Sequence, residues 1–319
     1  MNLILLVLIA LYAGMAKAKN IAIYIDGTGN HPEMADSTKG KANTNIRRMF
    51  CLTAENADQI PIYHSGVGTT GWAIWDQKGE LYGLGGDIKK RNTYRDLLKN
   101  YSQGDQIYIF GFSRGAAIAR DLANHIVDKG INGSHNITIR MVGLFDTVGA
   151  FGVPLDIFGL PFQEMNIGKK LDLPDNVQNA YHAVALDEDR EAFIPTLLYT
   201  QDPKRFEEVW FPGVHTDIGG GYVHRGIADI TLQYMIDRAK ENGLTFTTQS
   251  HCTEDESQLT FDQKTVRDTI GKQSPGPHSK RNVYRKIKVQ GMRKPLATRS
   301  GVKLFQSVDG GAWKFYVID

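Results

Sequence analysis

The chain has 319 residues, 41% of them hydrophobic and 23% charged, with a formal net charge of +2. That length allows one large α/β domain or two smaller ones, and the composition is that of a globular protein. The near-balanced charge excludes a global attraction to nucleic acid.

Leu3 to Ala16 is uncharged and mostly Leu, Ile, Val and Ala, and Ala16-Lys17-Ala18 follows it. As a helix this stretch would span only ~21 Å at ~1.5 Å per residue, less than a ~30 Å hydrocarbon core. The small-x-small pattern fits a signal-peptidase site, although Met1-Asn2 lacks a basic residue. Residues 1–18 are expected to be a secretion signal cleaved near Ala18, giving a periplasmic or secreted protein. Anchoring in a membrane by this segment is the alternative.

Asn20–Ile25 is an apolar, β-branched run ending at Asp26-Gly27-Thr28-Gly29, which predicts a buried strand and a glycine loop. Ile46, Met49, Phe50 and Thr53 have helical spacing. Gln59–Tyr63 is strand-like and leads into Gly66-Val67-Gly68. Tyr94, Leu97, Leu98 and Tyr101 mark an amphipathic helix.

Gln106–Phe110 then runs directly into Gly111-Phe112-Ser113-Arg114-Gly115, with Ala116–Asn124 behind it. Strand, G-x-S-x-G and helix in that order predict a sharp elbow that lifts Ser113 to the top of a sheet. Further strand-like runs end at Asp146 (Ile137–Phe145) and just before His215 (Val209–Phe211). Ile227, Ile230, Tyr234 and Ala239 suggest a late helix stopping near Gly243. Strands alternating with helices predict a doubly wound, mainly parallel α/β sheet of the α/β-hydrolase kind, with helices on both faces and functional loops at the carboxyl ends of the strands. The core is expected over 19–246. Residues 247–319 read as a polar, loop-rich excursion followed by two short strands, Val302–Val308 and Ala312–Val317, around Asp309-Gly310-Gly311, packed on the core.

The acid-free stretch 272–303 holds ten Lys and Arg residues, which read as a solvated face or as a contact for an anionic membrane surface. Cys51 and Cys252 either pair or remain two buried thiols.

A serine nucleophile needs a base, and the base needs a carboxylate to fix its tautomer. Ser113 is the candidate nucleophile. His215, in a glycine-rich turn after a strand, is the candidate base, and His182 is its rival. Asp146 ranks first as the acid and Asp217 second, since two residues from His215 it is better placed to hold the turn. Asp187 and Asp189 are further candidates for the acid, although Leu186–Arg190 reads as a charged surface segment. An oxyanion hole would take Arg114 N–H and a donor from Gly27 or Thr28.

Other templates fail. Tyr24 stands where an aspartyl phosphotransferase needs a second Asp, and Gly83-Leu84-Gly85-Gly86 lacks the Lys and Ser/Thr of a phosphate loop. His215, Asp217 and His224 lie in a loop too rich in glycine for a rigid metal cage, so neither metal nor cofactor is expected. Trp72, Ile74, Trp75, Phe151, Ile157 and Phe158 suit an acyl channel or lid as well as they suit core packing.

Several blocks together resemble a known family: Ile25-Asp26-Gly27-Thr28-Gly29-Asn30, Gly66-Val67-Gly68-Thr69, Gly111-Phe112-Ser113-Arg114-Gly115-Ala116, Phe145-Asp146-Thr147-Val148-Gly149, His182–Glu188 and Trp210–Tyr222. Their order over roughly residues 20 to 245 resembles the α/β-hydrolase domain of the first class of type VI secretion lipase effectors. The resemblance implies a Ser-Asp-His hydrolase, with Ser113, Asp146 and His215 at the matching positions, and for the effectors phospholipase A activity on bacterial membranes. The leader and the lack of a large membrane-docking module depart from the effector pattern, so the expectation is a lipase-type acyl hydrolase rather than an antibacterial toxin. A hydrolase-fold module that only binds a membrane or protein partner, and a soluble short-chain esterase, are the rival readings.

Overall fold

A computed structural model describes residues 18–69, 84–149, 171–190, 193, 195–198, 204–248, 250–252, 302–309 and 312–318. The leader through residue 17, the apolar candidates Trp72, Ile74, Trp75, Phe151, Ile157 and Phe158, and almost all of the basic stretch lie outside the described residues.

Strand β1 is Asn20–Ile25, and β2 (Lys41–Thr44) leads into helix α1 (Asn45–Leu52). Thr44 caps α1, its hydroxyl accepting the Arg47 amide at 3.2 Å. Then come β3 (Gln59–His64), α2 (Leu84–Asn100), β4 (Gln106–Phe112) and α3 (Arg114–Lys129). They are followed by β5 (Ile139–Phe145), β6 (Val177–Ala185), β7 (Phe206–Phe211), the five-residue helix α4 (His215–Gly219) and β8 (Gly220–Tyr222). Helix α5 (Gly226–Glu241) and the strands β9 (Val302–Asp309) and β10 (Ala312–Ile318) complete the described chain.

Eight strands form one sheet in the order β10-β9-β7-β6-β5-β4-β1-β3, parallel throughout except for the antiparallel β9–β10 pair. Alternation along the strands feeds two cores. Ile21, Ile23, Ile25, Ile107 and Ile109 face one side, with Leu97 of α2 and the alanines of α3 packed on them. Ala22, Tyr24, Tyr108 and Phe110 face the other side, against Ile46 and Met49 of α1 and Leu232, Met235 and Ile236 of α5. Each fully buried large side chain here is worth about 1.5–3 kcal/mol. Pro61 is tolerated inside β3 because β3 is an edge strand. The chain therefore has a mixed, mainly parallel, helix-covered sheet of the α/β-hydrolase type.

The C-terminal strands belong to this same sheet. Phe305 stacks on Phe211 at 5.1 Å between centroids, and the Trp313 indole donates to Asp237 at 3.0 Å. Cys51 of α1 is disulfide-bonded to Cys252, with 5.3 Å between Cα atoms. The chain order reverses between β3 and β4 on either side of β1, and the crevice above β1 and β4 is where an open α/β sheet binds ligands.

Candidate active site

The elbow after β4 is built by its glycines. A Cβ on Gly111 would lie 2.5 Å from the Gly115 carbonyl oxygen, and one on Gly115 would lie 2.3 Å from the Ile25 carbonyl oxygen, so strand, turn and helix can meet only without side chains there. Between them Ser113 holds φ 57° and ψ −124°, a strained conformation for a non-glycine residue. It is fixed on both sides: Ser113 N–H donates to the Phe145 carbonyl at 3.0 Å, and its own carbonyl accepts from Val148 at 3.2 Å. Arg114 opens α3, which puts its N–H at a helix N-terminus beside Ser113.

Asp146 follows β5, also with positive φ, 39°. It is fully buried, and its carboxylate accepts the Ala185 amide on Oδ1 at 2.8 Å. Its Oδ2 lies 2.6 Å from Nδ1 of His215. His215 opens α4 and is 4% exposed. Its ring lies between Phe112 and Phe193, with centroids 4.7 and 4.8 Å away. The sequence reading put His215 in a turn; the turn closes into a short helix, held from two sides. Glu188 Oε2 accepts the His215 amide at 3.2 Å, and Asp187 accepts the Gly213 amide at 2.6 Å. Burial opposes the charge on Glu188, but bonds from Arg190 and the His215 amide hold its pKa down to about 2. In the expected surface segment 186–190, Asp187, Asp189 and Arg190 are exposed, whereas Leu186 and Glu188 are buried, and Asp187 and Glu188 together clamp the histidine turn. Asp217 accepts the Val214 amide on Oδ2 at 3.0 Å, capping α4 and not addressing the imidazole.

The rival histidine is elsewhere engaged. His182 is fully buried, with Nε2 accepting the Thr147 amide at 3.1 Å and Nδ1 lying 3.1 Å from Glu208 Oε2.

On the other side of the crevice, the loop after β1 carries Asp26, Gly27 and Thr28. The Gly27 amide, one of the two candidate oxyanion donors in this loop, donates to Asp26 Oδ1 at 2.8 Å. Thr44 and Tyr63 hydroxyls donate to Asp26 Oδ2 at 2.7 and 2.8 Å. Burial pushes the Asp26 carboxyl up to about 6 in spite of these donors. Gly66 underlies the loop so tightly that a Cβ would fall 1.7 Å from the Gly27 carbonyl oxygen.

Ser113, His215, Asp26 and Thr28 line one cavity of about 520 Å³, whose lining also includes Lys41 and Arg47. Asp26 and Phe193 are site residues for which the sequence offered no role; Asp26 had only its place after a strand. Among the described residues, no group of three or more His, Cys, Asp and Glu is arranged to hold a metal. No described helix is long and apolar enough to cross a membrane.

The chain is similar to several known proteins. Over 235 residues it is 26% identical to the uncharacterized protein YEL023C of Saccharomyces cerevisiae, an alignment covering 56% of this chain and 32% of the yeast protein. A crystal structure of an uncharacterized protein from Pseudomonas aeruginosa superposes with a TM-score of 0.59 at 19% identity, covering 88% of this chain and 54% of that one. The Tle1 effector bound to the VgrG spike of the type 6 secretion system is 24% identical, with a TM-score of 0.47, over 64% of this chain and 51% of that one. The chain thus spans a third to a half of the length of these relatives. The model of the type VI secretion phospholipase effector Tle1-like catalytic domain matches residues 19–137 and 129–238, more than half of the chain, and the chain belongs to that family.

Proposed function

We propose that this protein is a serine acyl hydrolase that cleaves a carboxylic ester of a glycerophospholipid through Ser113, His215 and Asp146. One observation carries the reading: His215, 2.6 Å from the buried Asp146 carboxylate, lines the same cavity as a serine held at φ 57°.

In this mechanism Asp146 accepts the Nδ1 proton of His215, so Nε2 is the basic nitrogen. Nε2 takes the Ser113 proton as Oγ attacks the ester carbonyl. The oxyanion is met by Arg114 N–H and Thr28 N–H, with Gly27 keeping its bond to Asp26. Collapse of the tetrahedral intermediate expels the alkoxide, which receives the proton from Nε2. Water activated by the same imidazole then releases the fatty acid and restores Ser113. The Cys51–Cys252 disulfide favours an exported protein, since such bonds persist in oxidising compartments.

The test is fatty-acid release from phospholipid vesicles and hydrolysis of a short-chain p-nitrophenyl ester, each compared with Ser113→Ala. Loss of both in the variant supports the reading. Unchanged vesicle turnover in Ser113→Ala would sink it, and turnover of the soluble ester alone would keep the hydrolase but remove the phospholipid.

A further inference from the structure

Strands β2 and β8 form a two-stranded antiparallel ribbon apart from the main sheet, and both contribute to the wall of the cavity that holds Ser113. Lys41 and Tyr222 are direct cross-strand partners, so their side chains leave the ribbon on the same side. Both line the cavity. Tyr222 is 44% exposed and the next residue, Val223, 40%, two of the four large hydrophobics that stand out in solvent among the described residues.

The same wall is cationic. Lys41 is exposed, whereas Lys39 beside it is held by Asp36 at 2.8 Å. Arg47, in the first turn of α1, is placed by its guanidinium packing over Phe50 and Tyr63, 5.2 and 4.9 Å from the ring centroids. The one carboxylate among the described lining residues is Asp26, whose oxygens accept from Gly27, Thr44 and Tyr63 and whose charge Arg47 partly balances, so that Lys41 adds to a wall in which cations outnumber carboxylates. A neutral ester gains nothing from such a wall; an ester that carries an anion next to the scissile carbonyl gains a counter-charge.

We infer that the β2–β8 ribbon is a lipid-facing lip, in which Lys41 and Arg47 take the phosphate-bearing anionic headgroup of the glycerophospholipid whose ester lies at Ser113. Tyr222 and Val223 rest at the polar–apolar boundary of the lipid surface, where an aromatic ring with a polar tip is favoured. Arg47 offers the planar fork that matches phosphate oxygens, and Lys41 a mobile point charge at the mouth. The inference rests on the acyl-hydrolase reading of Ser113 and adds the class of headgroup.

The experiment uses Ser113→Ala protein sedimented with vesicles of phosphatidylcholine alone and of phosphatidylcholine mixed with phosphatidylglycerol. Binding to the mixed vesicles is expected to be stronger and to weaken with added salt. Adding Lys41→Glu is expected to lower it by roughly tenfold or more. Adding Lys129→Glu instead, a charge reversal on a lysine outside the cavity, is expected to leave it where Ser113→Ala alone has it. With active enzyme, the ratio of phosphatidylglycerol to phosphatidylcholine hydrolysis is expected to fall in Lys41→Glu. Equal binding to both vesicles, or equal losses from Lys41→Glu and Lys129→Glu, would overturn the lip. Impaired turnover of a soluble short-chain glycerophosphate ester with vesicle binding intact would overturn it in favour of a soluble phosphate ligand. Turnover of p-nitrophenyl butyrate with no fatty-acid release from any phospholipid would sink the phospholipase reading and the lip with it, whereas failure of the lip alone leaves phospholipid turnover in place.

Discussion

Nε2 of His182 accepts the amide hydrogen of Thr147 at 3.1 Å, one residue past the Asp146 that holds His215. An accepting Nε2 leaves the ring proton on Nδ1, which donates to Glu208 Oε2. The imidazole is therefore neutral, fixed in one tautomer, and acts as a prop beneath a turn whose Asp146 has φ 39°. His182→Gln is expected to lower kcat by about 10- to 100-fold, with a much smaller change in KM, because the acid shifts relative to His215 while the substrate wall stays. It is also expected to lower stability by about 1–3 kcal/mol through unpaired buried groups. Steady-state kinetics with urea unfolding check both; an unchanged kcat in a destabilised variant would reduce His182 to a packing role.

The two candidate acids separate by substitution. Asp146→Asn cannot take the Nδ1 proton as a carboxylate does and is expected to reduce kcat by about three to four orders of magnitude with the fold kept. Asp217→Asn removes only part of the bond that caps α4 and is expected to cost about 1 kcal/mol of stability, with kcat within tenfold of wild type. The reverse ranking in an ester assay would transfer the acid role to Asp217.

Asp26 gives stability a pH dependence of defined sign. Its folded-state pKa of about 6 lies above its unfolded value near 4. The stability it contributes is thus present in full below about pH 4 and is lost as pH rises through about 6. A shift of about two units corresponds to roughly 3 kcal/mol. Asp26→Asn does not ionise, so wild-type stability minus that of the variant is expected to fall by about this amount between pH 4 and 7, measured by denaturant unfolding. A difference that is flat with pH would show that the carboxyl titrates normally.

Reduction of Cys51–Cys252 removes a link between residues 201 positions apart. The Cys51→Ala/Cys252→Ala double variant is expected to lose about 2–5 kcal/mol. The wild type is expected to lose the same amount when unfolded in reductant, while the double variant does not respond to it. Equal melting with and without reductant in the wild type would mean that the two sulfurs are not joined.

The parts of the fold that could be read from sequence were those whose residues carry their own reason. Asn20–Ile25 is apolar on both faces, as a central parallel strand must be, and Gly111 and Gly115 announce the elbow because no side chain fits there. Strand β6 was missed because Val177–Ala185 has no β-branched run, and its polar members are satisfied from far along the chain: Asn179 by Asn242, and His182 by Glu208. Glu188 looked like surface because its partner, the His215 amide, is 27 residues away in sequence. Gly27 looked like an oxyanion donor because nothing in the sequence says that the preceding Asp26 side chain turns back onto its amide. For Glu188 the missing information was a tertiary partner, whereas for Gly27 it was the conformation of the neighbouring side chain.

The disulfide also sets the covalent topology of the molecule. Residues 51 to 252 form a closed ring that contains Ser113, Asp146 and His215, while β1 and β2 enter from one side and β9 and β10 leave from the other. A single break of the backbone anywhere inside that ring leaves all three residues on one covalently continuous molecule, separable only by a reductant. A break after Cys252 carries no such protection: strands β9 and β10 then stay on the sheet by pairing with β7 and by side-chain contacts alone.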